Sequence, residues 1–332
     1  MARLGSWIEP HPEGIYVRPA DAWVDPSQPK ARALVTHGHA DHARGGHQSV
    51  LATGETLAIM ECRYGPQRGT AVGYGDGVRV GDVDVRFVPA GHVLGSAQIV
   101  LEHAGERVVV SGDYKRRPDP TCPPFEVVPC DIFITEATFG LPVFRHPDTG
   151  GEIDRLLHRL HSDDSRCVLV GAYALGKAQR VIAELRGRGH HDPIYYHGAM
   201  ERLCELYRAH GIDLGELRPA TGAAKDELKG RIVIAPPSAL NDRWSRRLPD
   251  PVTAMASGLM RIRQRARQRN VELPLVISDH GDSDELTQTI REDAPREVWI
   301  THGREDALKH WCMTRQIKAR ELNLVGYEDE DD

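Results

Sequence analysis

The sequence predicts an α/β protein in which a second, parallel α/β unit is inserted into the first. Six apolar runs are each followed by a histidine, an aspartate or a glutamate, as expected of strands that deliver polar side chains to one edge of a sheet. Between residues 150 and 210, helical and strand patterns alternate, which is typical of a parallel α/β unit. The strand pattern resumes near Leu273, so the middle segment interrupts the first fold.

Short apolar runs bounded by turn residues predict the strands of the first part of the chain. Pro26 ends one of these runs, and residues 57–64 are apolar enough for a helix. The predicted strands are 14–17, 22–25, 33–36, 82–89, 98–102, 107–110 and 131–135.

The middle of the chain predicts helices at 153–160, 176–186 and 200–210 and strands at 167–171 and 193–196. A segment rich in loop residues follows at 238–251, and 256–269 is predicted to be a helix. The predicted organisation is a first domain at 1–145, an inserted domain at 146–268, a return segment at 269–326 and an acidic tail at 327–332.

The composition is that of an ordinary globular protein of 332 residues, 40% hydrophobic and 27% charged. We expect a cytoplasmic protein, because no apolar run could span a bilayer and the start lacks the apolar core of a signal peptide. Six scattered cysteines without a C-x-x-C pair argue against a disulfide framework and a zinc ribbon. The net charge of −6 means that a nucleic-acid partner would need a local basic surface.

The most specific motif is His37-Gly38-His39-Ala40-Asp41-His42, which directly follows the apolar run 33–36. Its small spacers allow a tight loop that points several side chains at one place. Imidazole nitrogens and carboxylate oxygens are ligands for zinc and other transition metals. We therefore predict that His37 and His39 bind one ion and that Asp41 and His42 bind a second.

His92, Asp113 and His302 follow three other predicted strands and complete the ligand set. Asp113 is the natural bridging carboxylate, because two ions need a shared negative charge. Two metals about 3.5 to 4 Å apart can hold a hydroxide between them and clamp the oxygens of a displacement reaction. Imidazole-rich ligation favours zinc over magnesium, with manganese or iron as alternatives.

Asp25 lies upstream of the motif, at the end of a neighbouring strand. It is a candidate to orient a ligand imidazole by hydrogen bonding. The alternative is a turn aspartate before Pro26.

The motif, together with His92, Asp113 and His302, resembles the metallo-β-lactamase superfamily. Three further stretches resemble its β-CASP nuclease branch: Ile134 to Gly140 with Glu136, Ser278-Asp279-His280, and Thr301-His302-Gly303. The stretches 112–142 and 256–290 are closer still to the bacterial ligase-associated DNA exonucleases. The resemblance covers residues 14–325.

The resemblance implies a metallo-β-lactamase αββα sandwich with an inserted β-CASP α/β domain, and hydrolysis of phosphodiester bonds. It implies that His280 protonates the leaving oxygen and that Glu136 supports His280 or the metal shell. Asp41 is predicted to be a catalytic residue together with His280 and Glu136. The alternative for His280 is a capping group, because residues 282–290 resemble a helix.

The leading hypothesis is a DNA exonuclease in DNA repair or end processing, and the alternative is an RNA-processing β-CASP nuclease. His302 favours RNA as the substrate, because Artemis-like DNA enzymes carry valine at this position of the motif. The longer resemblance, to the ligase-associated DNA exonucleases, favours DNA. A catalytically dead scaffold and a small-molecule hydrolase are the other hypotheses. The intact ligand set argues against the scaffold, and the inserted domain argues against the small-molecule hydrolase.

Clusters of basic residues are candidates for substrate binding, with ordinary surface cations as the alternative. Lys115, Arg116 and Arg117 directly follow Asp113, and Arg261 and Arg265 belong to an arginine-rich segment. We expect single-stranded DNA to be the preferred partner, because a duplex would have to be opened first. The family resemblance alone implies a functional link to an ATP-dependent DNA ligase and a helicase.

Overall fold

The computed structural model describes residues 4–324, and these are divided between two units. The first unit contains the chain up to Arg145 and from His280 onward, and the second contains His146–Asp279. The acidic tail expected at 327–332 lies outside the described residues. Within the described part, no helix is long and apolar enough to cross a bilayer.

The structure is mixed α/β. Its strands are β1 Ile8–His11, β2 Gly14–Val17, β3 Ala22–Val24, β4 Ala33–Leu34, β5 Val50–Ala52, β6 Gly69–Ala71, β7 Gly77–Val80, β8 Val83–Pro89, β9 Ala97–His103, β10 Glu106–Val110, β11 Ile132–Ala137, β12 Val168–Gly171, β13 Ile194–Tyr196, β14 Leu217–Pro219, β15 Ile232–Ala235, β16 Val252–Ala256, β17 Leu273–Leu275, β18 Glu297–Gly303 and β19 Lys318–Glu321. Its α-helices are α1 Gly54–Tyr64, α2 Thr149–His161, α3 Lys177–Gly187, α4 Glu201–Ala209, α5 Lys225–Leu228, α6 Arg263–Gln268, α7 Ser283–Asp293 and α8 Glu305–Met313.

Two sheets build the first unit. The first sheet has the order β1-β2-β3-β4-β5-β6, and the second has the order β19-β18-β11-β10-β9-β8-β7. β3 and β4 pair in parallel, as do β10 with β11 and β11 with β18. Parallel strands end at the same edge of a sheet, so the residues that follow these strands are delivered to common edges.

The two sheets share an apolar core, and helices cover their outer faces. Ile15 and Val24 of the first sheet pack in one buried cluster with Val85 and Ile134 of the second. On the other face of the second sheet, side chains of α7 and α8, such as Leu286, join a second buried cluster. Met60 of α1 lies in a third cluster with residues of β4 and β5. The first unit is therefore layered helix, sheet, sheet, helix.

The second unit contains one sheet in which every pair of strands is parallel, with the order β14-β13-β15-β12-β16-β17. Its strands are apolar and buried, as in Val168–Gly171 and Ile232–Ala235, because helices must cross over the faces of a parallel sheet. The alternating helix and strand pattern of the sequence reflects this arrangement.

The prediction of a helix at 256–269 is wrong for the first half of this segment. The structure has β16 up to Ala256, a 3₁₀ turn at Gly258–Arg261 and only then α6 at Arg263–Gln268. Ser257 causes the break, because it is extended and its hydroxyl accepts a hydrogen bond from the amide of Leu259.

The chain passes back to the first unit later than the predicted position 269. The reason is β17, Leu273–Leu275, which pairs with β16 and so belongs to the parallel sheet of the second unit. Residues up to Asp279 are grouped with that unit.

Candidate metal centre

The loop that carries His37 is held at its start by Asp25. Asp25 Oδ1 accepts a hydrogen bond from the Thr36 amide at 2.8 Å, and Oδ2 accepts one from the Thr36 hydroxyl at 2.6 Å. The Thr36 hydroxyl oxygen also lies 3.0 Å from His37 Nδ1. These contacts orient the His37 ring with Nε2 turned toward Asp113.

Gly38 allows the loop to pack closely on α1. A Cβ atom at this position would lie 2.5 Å from Ile59 Cγ2, which is closer than packing permits. The first small spacer of the motif is therefore required by packing.

The first group of candidate ligands contains His37, His39, His92 and Asp113, whose ligand atoms lie within 4.8 Å of one another. Asp113 Oδ2 lies 3.4 Å from His37 Nε2 and 3.8 Å from His92 Nε2. His92 Nε2 lies 2.9 Å from His39 Nδ1. Three imidazole nitrogens and a carboxylate oxygen thus lie close enough together to hold one cation, and they are ligand types that zinc accepts.

The second group shares Asp113 with the first. His42 Nε2 lies 3.4 Å from Asp113 Oδ2, and His302 Nε2 lies 3.3 Å from Asp113 Oδ1. Asp41 Oδ2 lies 3.5 Å from His42 Nε2. The two oxygens of Asp113 therefore face both groups, which is the geometry of a bridging carboxylate.

Asp25 contacts the second group directly, since its Oδ2 lies 2.8 Å from His42 Nδ1. A carboxylate at Nδ1 directs the Nε2 lone pair of the imidazole to the opposite side, where Asp113 lies. Asp25 is thus placed to orient a ligand imidazole, one of the two roles considered from the sequence.

The chemistry of this donor set fits two cations. Among residues 4–324, His37 Nε2, Asp41 Oδ1 and Asp113 Oδ1 are buried without a hydrogen-bond partner. Buried polar atoms are seldom left in this state unless an ion or water satisfies them. Imidazoles packed around one carboxylate need positive charge from outside, which transition-metal ions supply.

The ionisation of the buried groups agrees with this fit. Burial and the nearby His42 lower the pKa of His37 to about 4, and burial with neighbouring imidazoles holds the pKa of His92 well below its usual value. Both rings are therefore neutral at pH 7, as a metal ligand must be. Burial would raise the pKa of Asp113, but the nearby imidazoles of His42 and His302 outweigh burial and keep this carboxyl ionised.

The second group behaves differently when no cation is bound. Burial would lower the pKa of His42, but Asp113 and Asp41 outweigh it and raise that pKa well above its usual value. A positive charge is thus favoured at this place, either as a proton on the ring or as a bound cation.

Glu136 and His280 form a buried pair beside the first group. His280 Nδ1 lies 3.0 Å from Glu136 Oε2 and 3.2 Å from Oε1, and the Tyr114 amide donates to Oε1 at 2.9 Å. The ring centroids of His280 and His92 are 4.8 Å apart. Nδ1 is engaged by the carboxylate, so Nε2 is the nitrogen that faces away from Glu136.

His280 does not cap the following helix. The N-cap of α7 is Asp282, whose side chain accepts hydrogen bonds from the amides of Asp284 and Glu285. The alternative considered from the sequence is therefore wrong, and the capping function lies two residues further along the chain.

Comparisons with known proteins find several related proteins. A probable DNA ligase of Opitutus terrae is 29% identical over 323 residues, covering 92% of this chain and 31% of that protein. A ribonuclease of Thermus thermophilus is 31% identical, covering 55% of this chain and 50% of that protein. Cleavage and polyadenylation specificity factor subunit 3 of Dictyostelium discoideum is 30% identical, covering 76% of this chain and 39% of that protein. These relatives are nucleases of the β-CASP branch of the metallo-β-lactamase superfamily, and the chain is similar to them.

This family comprises metal-dependent enzymes that hydrolyse phosphodiester bonds. The chain spans between 31% and 50% of the length of these three relatives. No model of a known protein family matches it. A protein of unknown function from Enterococcus faecalis has a similar fold, with a TM-score of 0.56 at 13% identity, covering 91% of this chain and 80% of that protein.

The basic residues that follow Asp113 do not present free cations in the structure. Lys115 is 1% exposed, and its Nζ pairs with Asp119 Oδ2 at 2.6 Å. Arg116 pairs with Glu292 at 2.5 Å and donates to Thr289 at 3.2 Å. The prediction that Lys115 and Arg116 contact substrate phosphates is therefore not retained, because neighbouring acceptors already engage both cations.

Arg117 connects the Asp113 segment to the residues that follow His280. Its Nη2 donates to Asp282 Oδ2, and its Nε lies 3.6 Å from Glu285 Oε1. The Gly281 amide also donates to the Tyr114 carbonyl at 2.7 Å. The contacts of Tyr114 and Arg117 depend on tertiary packing, so no local pattern in the sequence predicts them.

A buried ionic network in the second unit holds the residues that lead into His280. Asp279 lies 3.2 Å from Arg180 Nη1 and 3.5 Å from Lys177 Nζ, and Arg180 also donates to the Ser278 carbonyl and to Thr149. Both cations are almost completely buried. The predicted substrate-binding residues Arg261 and Arg265 lie elsewhere in this unit, Arg261 on the 3₁₀ turn with its side chain exposed and Arg265 on α6.

Proposed function

We propose that the protein is a two-metal phosphodiesterase that acts as a DNA exonuclease in DNA repair or end processing. The observation that carries the proposal is the buried set of imidazoles around Asp113, with the Glu136–His280 pair directly beside it. Metal ligands and a positioned proton donor are the two parts that hydrolysis of a phosphodiester needs.

Each residue of the centre has a proposed role. His37, His39, His92 and Asp113 would hold one metal, and Asp41, His42, Asp113 and His302 would hold the other. Two transition-metal ions, with zinc favoured over manganese or iron by the imidazole ligands, would lower the pKa of a water molecule and neutralise phosphate charge. Asp25 orients His42 from outside the ligand set.

His280 acts as the general acid in this proposal. Glu136 holds the His280 ring through Nδ1, so the acid form would be the imidazolium, whose second proton, on Nε2, would pass to the leaving oxygen. A departing alkoxide of the strand is a strong base and needs this proton. Asp41, with one buried oxygen that lacks a hydrogen bond, is placed beside His42 to bind the second metal or orient the attacking water.

The layered arrangement supports a specific assignment of the two units. We assign the helix, sheet, sheet, helix layers of the first unit to the metallo-β-lactamase αββα sandwich, and the parallel sheet of the second unit to the inserted β-CASP domain. The candidate metal ligands all belong to the first unit.

RNA is the alternative substrate. The names of the Thermus relative and of several others are ribonuclease names, whereas the relative that matches 92% of this chain is named a probable DNA ligase. The match over almost the whole chain favours DNA, as does the sequence resemblance to the ligase-associated DNA exonucleases. Both are consistent with a functional link to a DNA ligase and a helicase. Arg261 and Arg265 remain proposed contacts for strand phosphates.

One experiment distinguishes these substrates. Linear and circular single strands, as DNA and as RNA, should be incubated with the same preparation under one metal condition. We expect linear single-stranded DNA to be degraded fastest, with RNA slower and circles resistant. Equal cutting of circles would remove the requirement for an end, and faster cutting of RNA would favour the ribonuclease alternative.

Arg117 offers a test of how the general acid is positioned. Arg117→Ala removes the contacts to Asp282 and Glu285 next to His280, and we expect strand cleavage about 10- to 100-fold slower with unchanged metal content. Arg116→Ala is the matched control, because Arg116 contacts the far end of the same helix through Glu292. Single-turnover cleavage rates should be measured for both variants. Equal effects would show that neither arginine positions His280 specifically.

A further inference from the structure

We propose that the second unit carries a nucleotide-binding subsite of its own, at the carboxyl ends of β12 and β15. The ligand would be one nucleotide of the substrate strand, so the proposal rests on the proposed function. Three features of the second unit point to this site: the topology of its sheet, a cavity at one edge, and the side chains that line the cavity.

The topology of the parallel sheet predicts where a ligand binds. β12 and β15 are neighbours in the order β14-β13-β15-β12-β16-β17. From β12 the chain continues to β13, on the far side of β15, whereas from β15 it continues to β16, on the far side of β12. Connections that leave neighbouring strands in opposite directions open a crevice at the carboxyl edge, where ligands of open α/β sheets bind.

A cavity lies at this switch point. Its volume is about 540 Å³, within the range of roughly 300 to 1,000 Å³ that is usual for small-molecule sites. Tyr173 and Ala174 line it after β12, and Pro236 and Pro237 line it after β15. The location inferred from strand order and the location of the cavity are therefore the same.

The lining combines an apolar floor with an aromatic ring. Leu240 and Met255 contribute aliphatic and thioether surface, and Tyr173 is half-buried at the cavity. Lys177 Nζ lies 5.8 Å from the centroid of the Tyr173 ring, which is a cation–π distance. A phenol ring beside apolar surface suits a flat heterocycle, because stacking on aromatic side chains binds bases of any sequence.

Arg269 provides the charge. Its Nη1 lies 3.9 Å from Met255 Sδ, its carbonyl oxygen accepts a hydrogen bond from Asn241 Nδ2 at 3.5 Å, and within residues 4–324 no carboxylate pairs with its guanidinium. A guanidinium without a carboxylate favours phosphate, to which it can form two parallel hydrogen bonds. Flat apolar surface beside a cation selects a ligand with a base and a phosphate, which is a nucleotide.

The proposal is tested by measuring the affinity of the protein for a fluorescein-labelled oligothymidylate by fluorescence anisotropy. A chelator is present so that the strand is not cleaved. Tyr173→Ala and Arg269→Ala are each expected to weaken binding about tenfold, in the range of one lost base stack. Tyr173→Phe keeps the ring and should bind like the parent. Tyr64→Ala is the control, because Tyr64 is an exposed tyrosine of the first unit.

The possible outcomes distinguish failure of the subsite proposal from failure of the proposed function. Parental affinity in both alanine variants would overturn the subsite, as would equal weakening in Tyr173→Phe or in Tyr64→Ala. If free thymidine monophosphate competes as strongly as the strand, the site takes free nucleotides and the assignment to substrate is overturned. If the parent protein binds the strand but does not cleave it after metal is restored, the proposed function is contradicted. The binding affinities of the variants would then still decide whether the subsite exists.

Discussion

Replacing Asp113 by asparagine is expected to abolish retention of the metal pair and to slow strand cleavage more than any other single substitution. Asp113 is the carboxylate shared by both ligand groups, with His37, His42 and His302 each within 3.4 Å of its oxygens. Its amide isostere would leave two cations without the negative charge between them. We expect the loss in metal affinity to exceed the roughly 10- to 100-fold that is typical of changes outside the ligand set.

Asp25→Asn is the matched control for this prediction. Asp25 contacts His42 and Thr36 but not the metal positions, so its loss should weaken metal binding only within that 10- to 100-fold range. Metal content should be measured by elemental analysis after dialysis, and cleavage rates on the same samples. Equal metal content in Asp113→Asn and the parent would contradict the bridging role.

Replacing His280 by alanine is expected to slow cleavage of natural strands by about 10² to 10⁴-fold while the metals are retained. A substrate with a better leaving group provides a second measurement. Bis(4-nitrophenyl) phosphate releases a phenolate that needs no proton, so His280→Ala should hydrolyse it at nearly the parental rate. A variant that had only lost its structure would be slow on both substrates.

Two further variants sharpen the assignment. Glu136→Gln keeps the size of the partner of His280 but removes its charge, and we expect a smaller version of the same selective defect. His92→Ala removes a candidate ligand and should lose metal and both activities. If His280→Ala is equally slow on both substrates while it retains metal and fold, His280 is not the general acid.

The candidate residues of the centre could be predicted from the sequence because the ends of apolar strands and the chemistry of metal ligands are local signals. His37 to His42 form one contiguous motif, His92 and Asp113 each follow an apolar strand, and His302 lies near the end of β18. Strands of one sheet end at common edges, so side chains just past the strand ends are brought together. The structure adds the distances and the sharing of Asp113 by both groups.

Ion pairing and helix boundaries could not be predicted in the same way. Lys115 and Arg116 look like phosphate contacts in the sequence, but Asp119 and Glu292 neutralise them in the fold. The helix expected at 256–269 is cut by Ser257, whose extended backbone belongs to the end of a buried strand. Glu292 is distant from Arg116 in the chain, and the Ser257 amide donates to the Leu275 carbonyl, so these are tertiary contacts that no local pattern in the sequence reveals.

The central claim is that two cations in the Asp113 centre are required for strand cleavage. The most direct measurement is a zinc titration of chelator-stripped protein, with bound metal and single-strand cleavage followed in the same samples. We predict binding of two ions per chain, with cleavage absent in the stripped protein and restored as the ions bind. Full cleavage by protein shown to be free of metal would contradict the account.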